Sequence, residues 1–175
     1  MAEGERPRDK MKLDSDMTFV SSGGMSEKRI RRFLEKIHAE YTPTAEYEFD
    51  LEQYPRRLAM LASGFAIELP DGEWSGAVLG YVNDRETRRG YISYIGRCKD
   101  CERHAAFRLH EAFKELAQER GMSVLRLEVL KVNAHARQFY ARLGYLPIED
   151  RGERLLMELK IEANRDSENG IIIGT

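Results

Sequence analysis

The stretch VLRLEVLKVNAHARQFYARLGY, residues 124–145, carries the reading on which the fold turns. Over 124–132, Leu125, Leu127 and Val129 share one face at a period of two, which predicts a half-buried strand. Asn133 interrupts the run and is expected to cap the next element, because its side-chain oxygen can accept an orphan helical N–H. Ala136, Phe139, Tyr140 and Leu143 then recur at helical spacing, and Gly144 supplies the stop. Ala136 is small enough for close packing, and Phe139 is expected in the core. Tyr140 is ambiguous on spacing alone, since an aromatic at such a position is usually core.

Upstream of this stretch the period is helical. Ala105, Ala106, Leu109, Ala112, Phe113, Leu116 and Ala117 mark one face of a long helix that stops at Gly121. Before it, residues 65–69, 75–82 and 91–95 are rich in β-branched and aromatic side chains. Pro70-Asp71-Gly72 and Asn83-Asp84 separate them, which predicts an antiparallel meander. Earlier, Ile30, Phe33, Leu34, Ile37 and Tyr41 predict an amphipathic helix. Ser26 would be its N-cap after a break at Ser22-Gly23-Gly24, and Thr42-Pro43 its end. A second helix over 50–62 is less regular. Asp50 and Gln53 resemble a capping box, and Pro55 either opens the helix or bends it. Leu58 and Leu61 are expected to form its buried face and Gly64 its end. A short strand at 17–21 precedes these helices, and strands at Pro147-Ile148 and 154–161 close the chain. The order β-α-α-β-β-β-α-β-α-β-β describes an α/β fold: a mixed, mainly antiparallel sheet of about seven strands flanked by four helices.

The chain has 175 residues, of which 28 are Lys or Arg and 30 Asp or Glu, for a formal net charge of −2. Residues 1–16 are polar and are expected to be a mobile N-terminal arm. Residues 17–161 are expected to form a single domain, and 162–175 a C-terminal tail. In that tail Ile171-Ile172-Ile173 suggests an added edge strand or a partner contact. Near-neutral charge argues against nucleic acid as a partner. No apolar run approaches the roughly 18 residues of a membrane span, and no charged-then-apolar leader opens the chain. The expected location is the cytoplasm, where Cys98 and Cys101 stay reduced.

Leu127-Glu128-Val129 followed by Asn133, Ala136, Phe139-Tyr140 and Gly144-Tyr145 resembles the second half of the GCN5-related N-acetyltransferase family. The element order is similar too, as is GAVLGYVNDRETRRGYISYIG at residues 76–96. The resemblance spans residues 17–161 and implies the acyl-CoA N-acyltransferase fold. It implies an N-acetyltransferase that moves acetyl from acetyl-CoA to a primary amine of a small molecule or peptide by direct ternary-complex transfer. In that family strands four and five splay, and the pantetheine pairs with strand-four backbone, here near Gly96 and Arg97. A tyrosine matching Tyr140 commonly protonates the departing thiolate, which a phenol of pKa about 10 can do for a thiol of about 8.5. Asn133 would shape and contact the cofactor cleft. Members often dimerise, so the expected assembly is a homodimer. No general base is named: strand four has no acid, Glu128 is expected in a surface contact, and Glu68 or a water relay stays open.

The departure lies in the cofactor loop, where the family reads R/Q-x-x-G-x-G/A. The matching window is Cys101-Glu102-Arg103-His104-Ala105-Ala106. Cys101 replaces the Arg or Gln, and His104 replaces the first Gly. Arg97 stands where relatives usually have an apolar residue. A helix N-terminus still attracts a pyrophosphate, and Arg103 and Arg108 add charge, so Arg103, His104, Ala105 and Ala106 remain the expected contacts. The weakened loop also keeps a second reading open, a catalytically inactive binding or regulatory domain. A third is a metal or thiol site at Cys98, Cys101 and His104. The preferred expectation there is two unpaired thiols beside a solvated histidine, with no metal. Other clusters have plain explanations: Arg29, Arg31 and Arg32 as an exposed helix face, and Arg85, Arg88 and Arg89 as a solvated turn. Tyr41, Tyr47, Phe49 and Tyr54 are candidates to line an acceptor pocket.

Overall fold

Four apolar residues at steps of three and four give the first helix its buried face, and the computed structural model, which describes residues 16–20, 27–41 and 50–162, contains that helix. Ser22 to Ser26, Thr42, Pro43, Tyr47, Phe49, the arm before Asp16 and Ile171–Ile173 lie outside the described residues. The strands are β1 (Met17–Val20), β2 (Ser63–Glu68), β3 (Trp74–Tyr81), β4 (Arg89–Arg97), β5 (Val124–Leu130), β6 (Leu146–Arg151) and β7 (Arg154–Lys160). The helices are α1 (Glu27–Tyr41), α2 (Tyr54–Leu61), α3 (Ala105–Glu119) and α4 (Ala134–Arg142). The strands form one mixed sheet in the order β1-β2-β3-β4-β5-β7-β6. β4 and β5 pair in parallel over Arg89–Tyr91 and Val124–Arg126, while the pairs β1–β2, β2–β3, β5–β7 and β6–β7 are antiparallel.

Two compact units share these elements. One comprises the chain through Tyr81 together with Ile92–Phe113. Its core packs Ile30, Phe33, Leu34 and Ile37 of α1 with Leu58 and Ala59 of α2, and with Trp74, Ala77, Leu79, Tyr94 and Cys98. Each large apolar side chain buried there contributes about 2 kcal/mol. In α2, Pro55 sits in the first turn, where a missing N–H costs nothing, and Asp50 Oδ1 accepts from the N–H groups of Glu52 and Gln53. Two expectations fail here. Leu61 is 56% exposed, the buried face being Pro55, Leu58 and Ala59. Gly64 does not end α2 but lies inside β2, where a Cβ would fall 1.8 Å from the Val78 carbonyl oxygen.

The other unit comprises Val82–Tyr91 and the chain from Lys114. Leu125, Leu127 and Val129 are buried on one face of β5, as the alternation requires. β7 pairs along the whole of β5, and β6 pairs outside it with every residue exposed. α3 and α4 both end in Schellman turns. In the first, Met122 N–H reaches Ala117 O and Gly121 N–H reaches Gln118 O. In the second, Tyr145 N–H reaches Tyr140 O and Gly144 N–H reaches Ala141 O. Gly121 and Gly144 hold the left-handed position of each, at φ +79° and +98°.

Candidate functional site

In the first unit the candidate residues follow the end of β4. Cys98 N–H donates to Ser75 O of β3 at 2.7 Å. Peptide groups alternate between the two edges of a strand, so Gly96 N–H also turns toward β3. The peptides of Ser93, Ile95 and Arg97 turn to the opposite edge. There the hydroxyl of Tyr54 donates to Ser93 O at 2.9 Å, and that of Tyr41 donates to Arg97 O at 3.2 Å. Of the two backbone donors read from sequence, Arg97 therefore belongs to this edge and Gly96 does not. Gly96 is glycine for packing: a Cβ there would lie 2.4 Å from the Tyr94 hydroxyl. Tyr41 and Tyr54, expected in an acceptor pocket, spend their hydroxyls on β4 carbonyls. Burial pushes the Tyr41 phenol above its usual range, against the opposing pull of Arg97.

The turn from β4 to α3 is tied down by side chains. Arg97 Nη1 donates to Cys98 O at 3.3 Å and to Cys101 O at 3.2 Å. Cys101 N–H returns to Cys98 O, and Lys99 N–H donates to the Glu40 carboxylate at 2.8 Å. Among the described residues Arg88 is the one non-glycine with positive φ, so His104 needs no left-handed backbone. Arg103 and His104 are exposed, and Ala106 is half-buried. Ala105 departs from expectation: it is buried, and its N–H is spent on Glu102 O at 3.2 Å. Arg108 is also committed, to Asp16 at 2.7 Å and Glu102 at 3.0 Å, and its hydrogen bond holds the Asp16 carboxyl below the usual range. The first turn of α3 contains no acid. Arg103 and the backbone N–H groups of this turn are thus a donor set suited to a pyrophosphate. A neighbouring cavity lined by Asp16, Glu68, Asp100 and Glu102 is acidic and unsuited to one.

The two thiols part company. Cys101 Sγ lies 3.5 Å from Ser75 Oγ, while Cys98 is fully buried. Among the described residues, the group of ligand-type atoms within 4.8 Å of one another is Glu40, Cys98 and Asp100. Cys101 and His104 are not in it, so the C-x-x-C-x-x-H spacing does not converge. Lys36 stands 3.9 Å from Asp100. Burial pushes the Cys98 thiol up to about 11, with Glu40 adding to the shift and Lys36 opposing it.

In the second unit the residues lie on β5, α4 and the turn after it. Asn133 is the N-cap of α4, its Oδ1 accepting from Ala136 N–H at 2.9 Å. Tyr140 is half-buried, its ring edge-on to Phe139 at 5.4 Å and to Tyr145 at 5.7 Å. Phe139 is half-buried rather than core, because α4 has no fully buried residue. The Gly144 turn brings buried Tyr145 back beneath Tyr140, which gives the Phe-Tyr-x-x-x-Gly-Tyr spacing a physical reason. Glu128 makes the surface contact expected of it, an ion pair with Arg151. In the first unit Glu68 pairs with Arg29 at 2.8 Å. On the helix face read as exposed, Arg31 and Arg32 pair with Glu27 and Glu73.

The sequence marks Arg97 as out of place but gives its side chain no role, and it does not show the tyrosine caps on β4 or the Glu40–Cys98–Asp100 group. A charged residue at the end of a strand in an apolar context was the one signal for the Arg97 side chain. No helix among the described residues is long and apolar enough to cross a membrane.

Comparison with known proteins follows the same lines. A model of the family described as "Acetyltransferase (GNAT) family" matches residues 32–145. No curated protein sequence matches. Among solved structures, the ribosomal-protein-S18-alanine N-acetyltransferase from Escherichia coli is similar in fold at TM-score 0.64 and 16% identity, over 83% of this chain and 94% of that one. The GNAT domain of PAT from S. lividans gives TM-score 0.64 and 15% identity, over 83% and 89%. Arabidopsis thaliana NAA60 in complex with a bisubstrate analogue gives 0.59 and 17%, over 85% and 99%.

Proposed function

The chain belongs to the GNAT acetyltransferase family, and from that premise we propose that it is an acetyl-CoA-dependent N-acetyltransferase acting on a primary amine of a small molecule or peptide. One acetyltransferase domain would span 17–161. The observation that carries the reading is the extent of the family match, residues 32–145, which takes in both the β4–α3 turn and the α4 motif. Acetyl-CoA supplies the acetyl group as a thioester. The amine nitrogen forms the new bond to the acetyl carbon, the carbon–sulfur bond breaks, and the proton of the ammonium leaves to solvent. Arg97 N–H is assigned to the edge of β4 where a carbonyl oxygen gathers charge. Arg103, His104 and Ala106 are assigned to the pyrophosphate, together with the first turn of α3. Tyr140 is assigned to protonating the departing thiolate, and Asn133 to fixing the start of α4 and the cofactor cleft. The assembly proposed is a homodimer.

A second reading has one observation in its favour. Glu68 and Glu128, the acids nearest the role of general base in sequence, are both held in ion pairs with arginines. A domain that binds the coenzyme without turnover fits that arrangement.

Calorimetric titration of acetyl-CoA at moderate salt, followed by an acceptor screen, separates the readings. Micromolar binding near one site per chain with acetyl transfer is the expected result. Binding with no transfer to any amine favours the second reading, and no heat up to millimolar acetyl-CoA removes the coenzyme from both. Given turnover, Tyr140→Phe is expected to lower kcat by about 100-fold or more, the range for losing a general acid, with acetyl-CoA affinity unchanged. An unaltered kcat would return Tyr140 to a packing role.

A further inference from the structure

The turn that precedes α3 lacks the glycines its family uses, yet it is built without strain. Among the described residues no non-glycine residue of this turn has positive φ. What shapes it is a side chain. The Arg97 guanidinium takes the carbonyl oxygens of Cys98 and Cys101, two acceptors at the two ends of a turn closed by Cys101 N–H on Cys98 O. Arg97 is itself fixed from behind, since its own carbonyl accepts from the Tyr41 hydroxyl. The next peptides are pinned as well, Cys98 N–H on Ser75 and Lys99 N–H on Glu40. With its carbonyls gathered on a cation, the turn is preorganised to feed α3 with its N–H groups leading. One nitrogen, Nη1, makes both bonds, and the rigid plane of the guanidinium fixes where that nitrogen stands, which the flexible stem of an ammonium does not.

We propose that the Arg97 side chain is a positioning residue for the pyrophosphate-binding turn, doing by hydrogen bonding to the Cys98 and Cys101 carbonyls what glycine does in relatives by backbone freedom. The proposal rests on the acetyl-CoA reading above. It concerns the guanidinium and not the backbone N–H of the same residue.

The test compares wild type, Arg97→Met and Arg97→Lys by calorimetry with coenzyme A, and by KM for S-acetylpantetheine, a donor with no pyrophosphate. Arg97→Met is expected to weaken coenzyme A binding about tenfold, the scale of one charged hydrogen-bonding group. Any rise in KM for S-acetylpantetheine is expected to be smaller than the loss of coenzyme A affinity, whereas a general loss of structure would move the two together. Arg97→Lys keeps the charge without the rigid plane that places Nη1 between the two carbonyls and is expected to bind close to the Met variant. It also serves if the Met variant fails to fold. Restoration of full affinity by Lys overturns the proposal in favour of a direct charge contact, and equal affinity of wild type and Met overturns it outright. Absence of binding by wild type is seen before any variant is made and strikes the coenzyme reading instead.

Discussion

The turn between β4 and α3 and the turn after α4 both connect a candidate binding element to its scaffold, and they are built in opposite ways. After α4 the backbone does the work. Gly144 takes φ +98°, two N–H groups close on the last carbonyls, and Tyr145 is returned beneath Tyr140. Before α3 the side chains do it, through Arg97, Glu40 and Tyr41 acting on backbone atoms from outside the turn. A backbone-built turn restricts which residue types it accepts, so it leaves a mark in sequence. A turn held by side chains tolerates Cys, His or Glu along its length provided the clamps are present. Apparent decay of a motif is therefore weaker evidence against binding at the second kind of turn than at the first.

The larger expected effect lies on the side-chain-built turn and concerns pH. Cys98 sits under α1 with its thiol pushed up to about 11, chiefly by burial and then by Glu40. An exposed cysteine in the unfolded chain titrates near 8.5. The native state thus holds the proton longer, and its advantage is complete below pH 8.5 and lost as pH rises to 11. Two units or slightly more correspond to about 3 kcal/mol. Urea titrations of wild type and Cys98→Ala from pH 7 to 11 should show wild type losing about that much relative to the variant. Parallel curves across the range would mean that the thiol is not held protonated by the packing around Glu40 and Asp100.

Much of this contrast was legible in the chain itself. The period-two run Leu125, Leu127, Val129 and the cap at Asn133 appear where the sequence puts them, because one buried face and one orphan N–H admit few residue types. Leu61 and Phe139 misled for a common reason: helical spacing tells which residues share a face, not whether anything covers it. Gly64 misled because glycine serves equally as a helix stop and as the residue a neighbouring carbonyl can approach. Gly96 and Arg97 were named together because spacing does not tell which strand edge a peptide faces, and the Cys98 N–H on Ser75 O orients the two toward opposite edges. The Arg97 clamp was not legible, since its acceptors are backbone atoms and every residue type has those.

The smaller effect belongs to the backbone-built turn. In Gly144→Ala the new Cβ would sit 3.3 Å from Leu159 Cδ1, the end of a side chain that can yield. Space is therefore not the main obstacle. The backbone is, because φ +98° lies outside the region an alanine occupies without strain, at a cost of about 1–2 kcal/mol. The strain is relieved by opening the Tyr145 N–H to Tyr140 O bond, which frees the ring of Tyr145 from beneath Tyr140. The variant should accordingly lose that stability in a urea titration and also lower kcat more than it raises KM for acetyl-CoA, since Tyr140 is assigned to the leaving group and not to the pyrophosphate. A stability loss with kcat untouched would mean that the turn supports the fold alone. Tyr140 would then owe its position to α4 and not to the glycine behind it.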